Sequence, residues 1–175
     1  MTDLANKVKS LVRNVPNFPK KGIIFKDITP LLADPGGLKQ TIGDLSDWVS
    51  ERQPDLIVGA EARGFILGAA IAAASDCGFV PARRPGKLPP ETIGASYFLE
   101  YGENALEVHP DLIPNGARVV IHDDVLATGG TVEAICGLVE RLGGIVVGSC
   151  FIIELTFLGG RERLSGRDVH ALIAY

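Results

Sequence analysis

Val119-Val120-Ile121-His122-Asp123-Asp124-Val125-Leu126-Ala127-Thr128-Gly129-Gly130-Thr131 is the stretch on which the fold turns. A β-branched run from Arg118 to His122 gives way to an Asp/Gly/Thr loop, and Ile135, Leu138, Val139 and Leu142 then recur at helical spacing. Gly143-Gly144 closes that helix. The run from Ile145 to Ile153 that follows reads as a buried strand. Upstream the plan repeats: Leu56-Ile57-Val58-Gly59, the loop Glu61-Ala62-Arg63-Gly64, then a helix-favouring stretch from Phe65 to Ala74. Strands of continuous apolar character alternating with helices predict an α/β fold, a central parallel sheet with helices on both faces joined by right-handed crossovers.

Two more helices fit around this unit. Leu4, Val8, Leu11 and Val12 mark a short amphipathic helix ending before Pro16. Asp34-Pro35 is a helix start, because the carboxylate can cap free N–H groups and proline tolerates the first turn; Leu38, Ile42, Leu45 and Val49 are its buried stripe. Between Arg83 and Asn115 the periodicity fails and only short alternating pieces such as Ser96-Tyr97-Phe98-Leu99-Glu100-Tyr101 remain, which predicts a mobile flap with some strand character.

The length of 175 residues and 46% apolar content predict one domain with one sizeable core. A net charge of -4 disfavours general binding to nucleic acid or to a membrane surface, so an anion site must be local. Cys77, Cys136 and Cys150 are odd in number, lack metal-ligand spacing and read as buried reduced thiols. Met1 to Phe18 has no central apolar block of a secretory signal. The longest apolar stretch, Phe65 to Ala74, falls short of the roughly 20 residues that cross a bilayer. A cytoplasmic protein is expected.

The quoted stretch also carries chemistry. Backbone N–H groups of a Gly/Thr loop at a helix start make a phosphate cradle, and threonine hydroxyls add donors. Asp123 and Asp124 just upstream would repel that phosphate but can accept hydrogen bonds from a sugar diol beside it, so the spacing describes a ribose 5-phosphate. An acidic strand end that merely caps the next helix is the structural alternative. The Walker GxxxxGK[ST] and Rossmann GxGxxG patterns do not occur.

Ile121 to Thr131 resembles the 5-phosphoribosyl pyrophosphate (PRPP) motif of type I phosphoribosyltransferases, and Asp123 to Thr131 is similar to the adenine-specific branch. Asn17-Phe18-Pro19-Lys20-Lys21-Gly22-Ile23-Ile24-Phe25-Lys26-Asp27-Ile28-Thr29-Pro30, Glu61-Ala62-Arg63-Gly64-Phe65, Arg84-Pro85-Gly86-Lys87-Leu88-Pro89 and Ser96 to Gly102 agree with that branch in the same order. The resemblance implies a single phosphoribosyltransferase domain over 1–175, with an N-terminal helix and hood at 1–33 and a flap at 83–115. It implies transfer of phosphoribosyl from PRPP to adenine, giving AMP and pyrophosphate, with Mg2+ bound mainly through PRPP, in a homodimer.

By the same resemblance Asp123 and Asp124 hold the ribose hydroxyls, and Ala127, Thr128, Gly129, Gly130 and Thr131 hold the 5-phosphate. Arg63 faces the pyrophosphate beside a cis peptide near Glu61-Ala62; read alone, it is equally a surface cation paired with Glu61. Arg83, Arg84 and Lys87 form a basic run suited to pyrophosphate, or a solvated charged loop. Ile24, Phe25 and Lys26 form the hood over the base, with Phe25 stacking on it; without the motif Phe25 is an ordinary core residue. Glu100 takes the place of the catalytic carboxylate, exchanging a proton with adenine N7, where the bare sequence offers an exposed strand residue. His122 reads as a satisfied strand histidine, and His109 and His170 carry no assigned chemistry. The rival classes are a non-catalytic PRPP or nucleotide sensor and a phosphoribosyltransferase for another base.

Overall fold

The computed structural model describes residues 3–99 and 102–175, the side chains of 97–99 and 102–104 excepted. Its frame is a five-stranded sheet of β3 (Leu56–Ala60), β4 (Gly78–Ala82), β7 (Arg118–Leu126), β8 (Ile145–Glu154) and β9 (Val169–Ala174), in the spatial order β4-β3-β7-β8-β9. Every neighbouring pair is parallel. Side chains alternate across the sheet. Val58, Val119, Ile121 and Phe151 enter one buried cluster with Val132, Ile135 and Val139 of α5 (Gly130–Arg141). Ile57, Val120, Cys150 and Ile152 enter the other. That second face is covered by α1 (Asp3–Leu11), α2 (Thr29–Ala33), α3 (Pro35–Ser50) and α4 (Arg63–Ala74), through residues such as Val8, Leu31, Leu45 and Leu67. Helices on both faces are what continuous apolar strands require.

Asp34 caps α3 as its sequence predicts, accepting a hydrogen bond from Gly37 N. The buried stripe of α3 is turned from the expected one: Thr41, Leu45, Ser46 and Val49 are buried, while Leu38 and Ile42 are half-buried. Two antiparallel hairpins stand off the sheet. One joins β1 (Arg13–Pro16) to β2 (Ile24–Asp27), and the other joins β5 (Ile93–Leu99) to β6 (Gly102–Val108). The stretch expected to be a mobile flap with some strand character contains a registered hairpin, and Glu100 and Tyr101 lie outside the described residues. A four-residue helix, α6 (Gly160–Arg163), follows β8. No helix among the described residues is long and apolar enough to cross a membrane.

From β3 the chain passes through α4 to β4 on one side, while β7 and β8 build outward on the other. The connections therefore diverge between β3 and β7, and the crevice beyond the carboxyl ends of these two strands is where an open parallel sheet accepts ligand.

Candidate active site

That crevice opens as a cavity of about 450 Å3 lined by residues from four segments: Ile23 to Lys26 of the first hairpin, Glu61 to Arg63 after β3, Asp123 to Ala127 at the end of β7, and Thr131 in α5. Arg84, Ala105, Leu106 and Leu155 complete its lining; Leu126, between Val125 and Ala127, turns into the core. β7 continues past His122, so both aspartates lie in the strand itself and alternate across it: Asp124 is 2% exposed and Asp123 half-buried.

Asp123 Oδ1 accepts from the backbone N–H of Asp124 at 2.8 Å. Arg63 Nε lies 2.7 Å from Asp124 Oδ2, which disposes of the expectation that Arg63 pairs with Glu61. Burial pushes the Asp123 carboxyl well above its usual range, and the neighbouring Asp124 adds to the effect. Burial also raises Asp124, with the Arg63 guanidinium opposing the rise. Each carboxyl keeps acceptor capacity beyond these contacts, and a vicinal diol supplies two O–H groups at suitable spacing.

Arg63 opens α4 instead of lying in the preceding loop, and the Glu61–Ala62 peptide before it is cis, at the position the resemblance implies. Its guanidinium also sits 4.8 Å from the centre of the Phe25 ring, against which Phe18 packs edge-on. Phe25 is half-buried on the cavity wall and belongs to neither buried cluster. The ordinary-core reading of this residue is thereby set aside.

The Ala127–Thr131 loop divides. Ala127 and Thr131 face the first cavity, whereas Ala127 and Thr128 face a second, more apolar one of about 580 Å3 that shares Ile23, Ile24, Lys26 and Leu155. Gly129 caps α5 at φ 80°, and a Cβ there would come within 2.9 Å of Gly160 O, so both the turn and the close approach of α6 demand glycine. The first-turn N–H groups of α5 have no intrahelical acceptors and stand at this loop, with the positive end of the helix dipole.

The basic run is sorted by Glu61. Its carboxylate accepts from Arg83 Nε at 3.0 Å and from Arg84 N at 3.1 Å. Partial burial works against ionisation of Glu61, yet these hydrogen bonds keep its carboxyl below the usual value. Arg83 also donates to Lys87 O at 3.0 Å. Arg83 and Lys87 line neither cavity, while Arg84 lines the first. Glu107 holds the far side of this loop, accepting from Gly86 N and Thr92 Oγ1, each at 3.0 Å.

His122 is fully buried, and burial lowers its pKa to about 4. Its Nδ1 lies 3.0 Å from Cys150 O, but Nε2 has no hydrogen-bond partner among the described residues, so it is half-satisfied and neutral. His170 is not isolated: it stacks on Trp48 and sits 3.0 Å from Asp44 Oδ2, far from the cavity. Cys77, Cys136 and Cys150 are free thiols, the first half-buried and the others buried. Sequence reading missed Leu155 as a lining residue and named Arg84 only as one member of the basic run. The rule that ligands gather beyond the carboxyl ends of parallel strands points to Leu155, the residue after β8.

Residues 32–169 match the family described as the phosphoribosyl transferase domain. Over 168 residues the chain is 54% identical to the adenine phosphoribosyltransferase of Solibacter usitatus, covering 96% of this chain and 97% of that one. The chain belongs to the adenine phosphoribosyltransferase family. Its fold is correspondingly similar to the crystal structure of adenine phosphoribosyltransferase from Thermoanaerobacter pseudethanolicus, with TM-score 0.95, 51% identity, and coverage of 98% of this chain and 99% of that one. A structure of the Saccharomyces cerevisiae adenine phosphoribosyltransferase, complexed with D-2,5-dideoxy-2,5-imino-altritol 1,6-bisphosphate and adenine, is similar at TM-score 0.91 and 39% identity, over 98% of this chain and 99% of that one. The type I phosphoribosyltransferase fold expected from the motifs is the fold found.

Proposed function

We infer that the chain transfers the 5-phosphoribosyl group of PRPP to adenine, releasing AMP and pyrophosphate in purine salvage. The observation that carries this reading is the meeting, on one cavity, of paired carboxylates, Ala127 and Thr131 around the start of α5, and an aromatic residue from a separate hairpin. The three suit a ribose diol, its 5-phosphate and a flat base respectively.

In this reading residues 1–175 form one domain, with 1–33 the N-terminal helix and hood and 83–115 the flap. Asp123 and Asp124 hold the ribose hydroxyls, and Ala127 to Thr131 hold the 5-phosphate. The reaction is a displacement at the anomeric carbon through an oxocarbenium-like transition state, so the protein works by positioning and by stabilising charge. Arg63, beside Asp124 at the start of α4, faces the departing pyrophosphate. Arg84 fits the same task better than Arg83 or Lys87, because Arg83 is already bound by Glu61. Arg84→Ala is expected to raise the KM for PRPP roughly fivefold, in keeping with a partly solvated ion contact of about 1 kcal/mol; a larger effect from Arg83→Ala in steady-state kinetics would reverse this ranking.

Mg2+ belongs to this scheme as a companion of PRPP. Among the described residues no group of three or more His, Cys, Asp or Glu side chains could hold a metal, while Asp123 and Asp124 offer hard oxygens beside the ribose site. When bound, the ion would neutralise charge on the pyrophosphate. A homodimer in the cytoplasm completes the proposal. Exposed Phe18, Ile66 and Phe157 would suit a subunit contact, and free thiols suit a reducing compartment. Light scattering reads the oligomeric state directly.

Phe25→Ala is expected to raise the KM for adenine up to about tenfold, the worth of one aromatic stack, with little change for PRPP; an unaltered adenine KM would remove Phe25 from the base site. The whole reading is tested by supplying PRPP and Mg2+ with adenine, hypoxanthine, guanine, xanthine or orotate in turn and identifying each product. AMP from adenine alone is the expected result. Turnover of another base would keep the mechanism and overturn the hood assignment. PRPP binding without any product would favour the sensor.

A further inference from the structure

Lys26 stands on the rim shared by the two cavities, and its ammonium is held aside. Its Nζ lies 3.5 Å from the centre of the Tyr175 ring and donates to Asn14 Oδ1 at 2.8 Å. Lys9 of α1 approaches the same ring, with Nζ 4.5 Å from its centre, and donates to Ala174 O at 3.1 Å. The ring is placed by main chain that owes nothing to the hood. Tyr175 N donates to Glu154 O at 2.9 Å, and Tyr175 O accepts from Thr156 N at 3.1 Å and Thr156 Oγ1 at 2.7 Å.

The central sheet thus presents an aromatic face, at the end of β9, to a cation that follows Phe25 directly in β2. A cation over such a face is attracted by the ring's quadrupole, more strongly as water is removed. Partial burial, and then the charge of Lys9, work against the Lys26 ammonium; the ring and Asn14 offset them. Successive residues on a strand point to opposite sides, so fixing Lys26 fixes how far Phe25 reaches over the cavity.

We propose that Tyr175 is a positioning residue for the base, acting through Lys26 to hold Ile24, Phe25 and Lys26 at their height above the cavity. This rests on the reading that those three residues bind adenine. Tyr175 touches no reacting atom. It sets one dimension of the base site from the far edge of the sheet.

The test uses the full chain. Tyr175→Ala is expected to raise the KM for adenine about three- to tenfold, with the KM for PRPP and kcat unchanged, and Tyr175→Phe is expected to restore it because the ring face remains. Tyr175→Leu serves if the alanine variant does not fold, since it keeps apolar bulk without a π face. Lys26→Met combined with Tyr175→Ala should cost less in adenine KM than the two single changes summed. Equal rises in both KM values, or a phenylalanine variant as impaired as alanine, would overturn the proposal. A wild-type chain that forms no AMP removes the base reading and the proposal with it, whereas an active wild type and an unaltered adenine KM in Tyr175→Ala remove the proposal alone.

Discussion

Glu100→Gln is expected to lower kcat about 10²–10⁴-fold, the usual span for losing a general acid–base group, while AMP binding stays near wild type. Glutamine keeps the size and hydrogen-bonding reach of the side chain but cannot exchange a proton with adenine N7. Without that exchange, N9 is a weaker nucleophile forwards and a poorer leaving group in reverse. Glu100 lies outside the described residues, and β5 and β6 are described up to Leu99 and from Gly102. The base of that hairpin is anchored, because Arg83 and Glu107 exchange backbone hydrogen bonds at 2.9 and 2.7 Å and the Glu107 side chain grips the adjoining loop. A hairpin fixed at its root suits a flap that excludes water from a ribosyl cation. Single-turnover kinetics in both directions make the measurement. An unchanged turnover would remove Glu100 from proton transfer.

The parts of this molecule that the sequence reveals are those whose chemistry is contiguous. Asp123 to Thr131 is at once strand end, connecting loop and helix start, so its pattern announces both the parallel sheet and the candidate site. β4 escaped reading because Pro81 interrupts Gly78-Phe79-Val80-Pro81-Ala82, and a proline argues against a central strand; β4 is an edge strand, where the missing N–H costs no ladder bond. β9 is the opposite edge, and its His170 was read as isolated because its partner Asp44 lies 126 positions away. Arg84 outranks its neighbours at the cavity only because Glu61 takes Arg83, a choice made across 22 residues. Leu155 and Tyr175 join the site through the sheet's order, which no local pattern carries.

Asp123→Asn is expected to act in opposite directions on catalysis and stability. It should lower kcat/KM for PRPP roughly 5–10-fold, because a charge-assisted hydrogen bond to the ribose becomes a neutral one that is weaker by about 1–1.5 kcal/mol. Without ligand it should raise Tm at neutral pH. Burial, reinforced by Asp124, holds the wild-type carboxyl well above the ordinary carboxylate range, so in the window between the unfolded and the folded value the folded chain holds a proton that the unfolded chain releases. Stability from that proton is complete below the unfolded value and is lost as pH rises through the raised folded value. Asparagine is neutral at every pH and escapes the loss, while its carbonyl can still accept from Asp124 N–H as Asp123 Oδ1 does. The gain should therefore be several degrees near pH 7.5, at about 2–4 °C per kcal/mol for a chain of this size, and should vanish below about pH 3.5, where both wild-type states are protonated. Adding PRPP and Mg2+ should reverse the order at neutral pH, since the wild type binds more tightly and gains more by mass action. Differential scanning fluorimetry at the two pH values, with and without PRPP, reads all three effects. A ligand-free variant less stable than wild type at neutral pH would mean that Asp123 is satisfied by the fold itself and not by the ribose it is proposed to await.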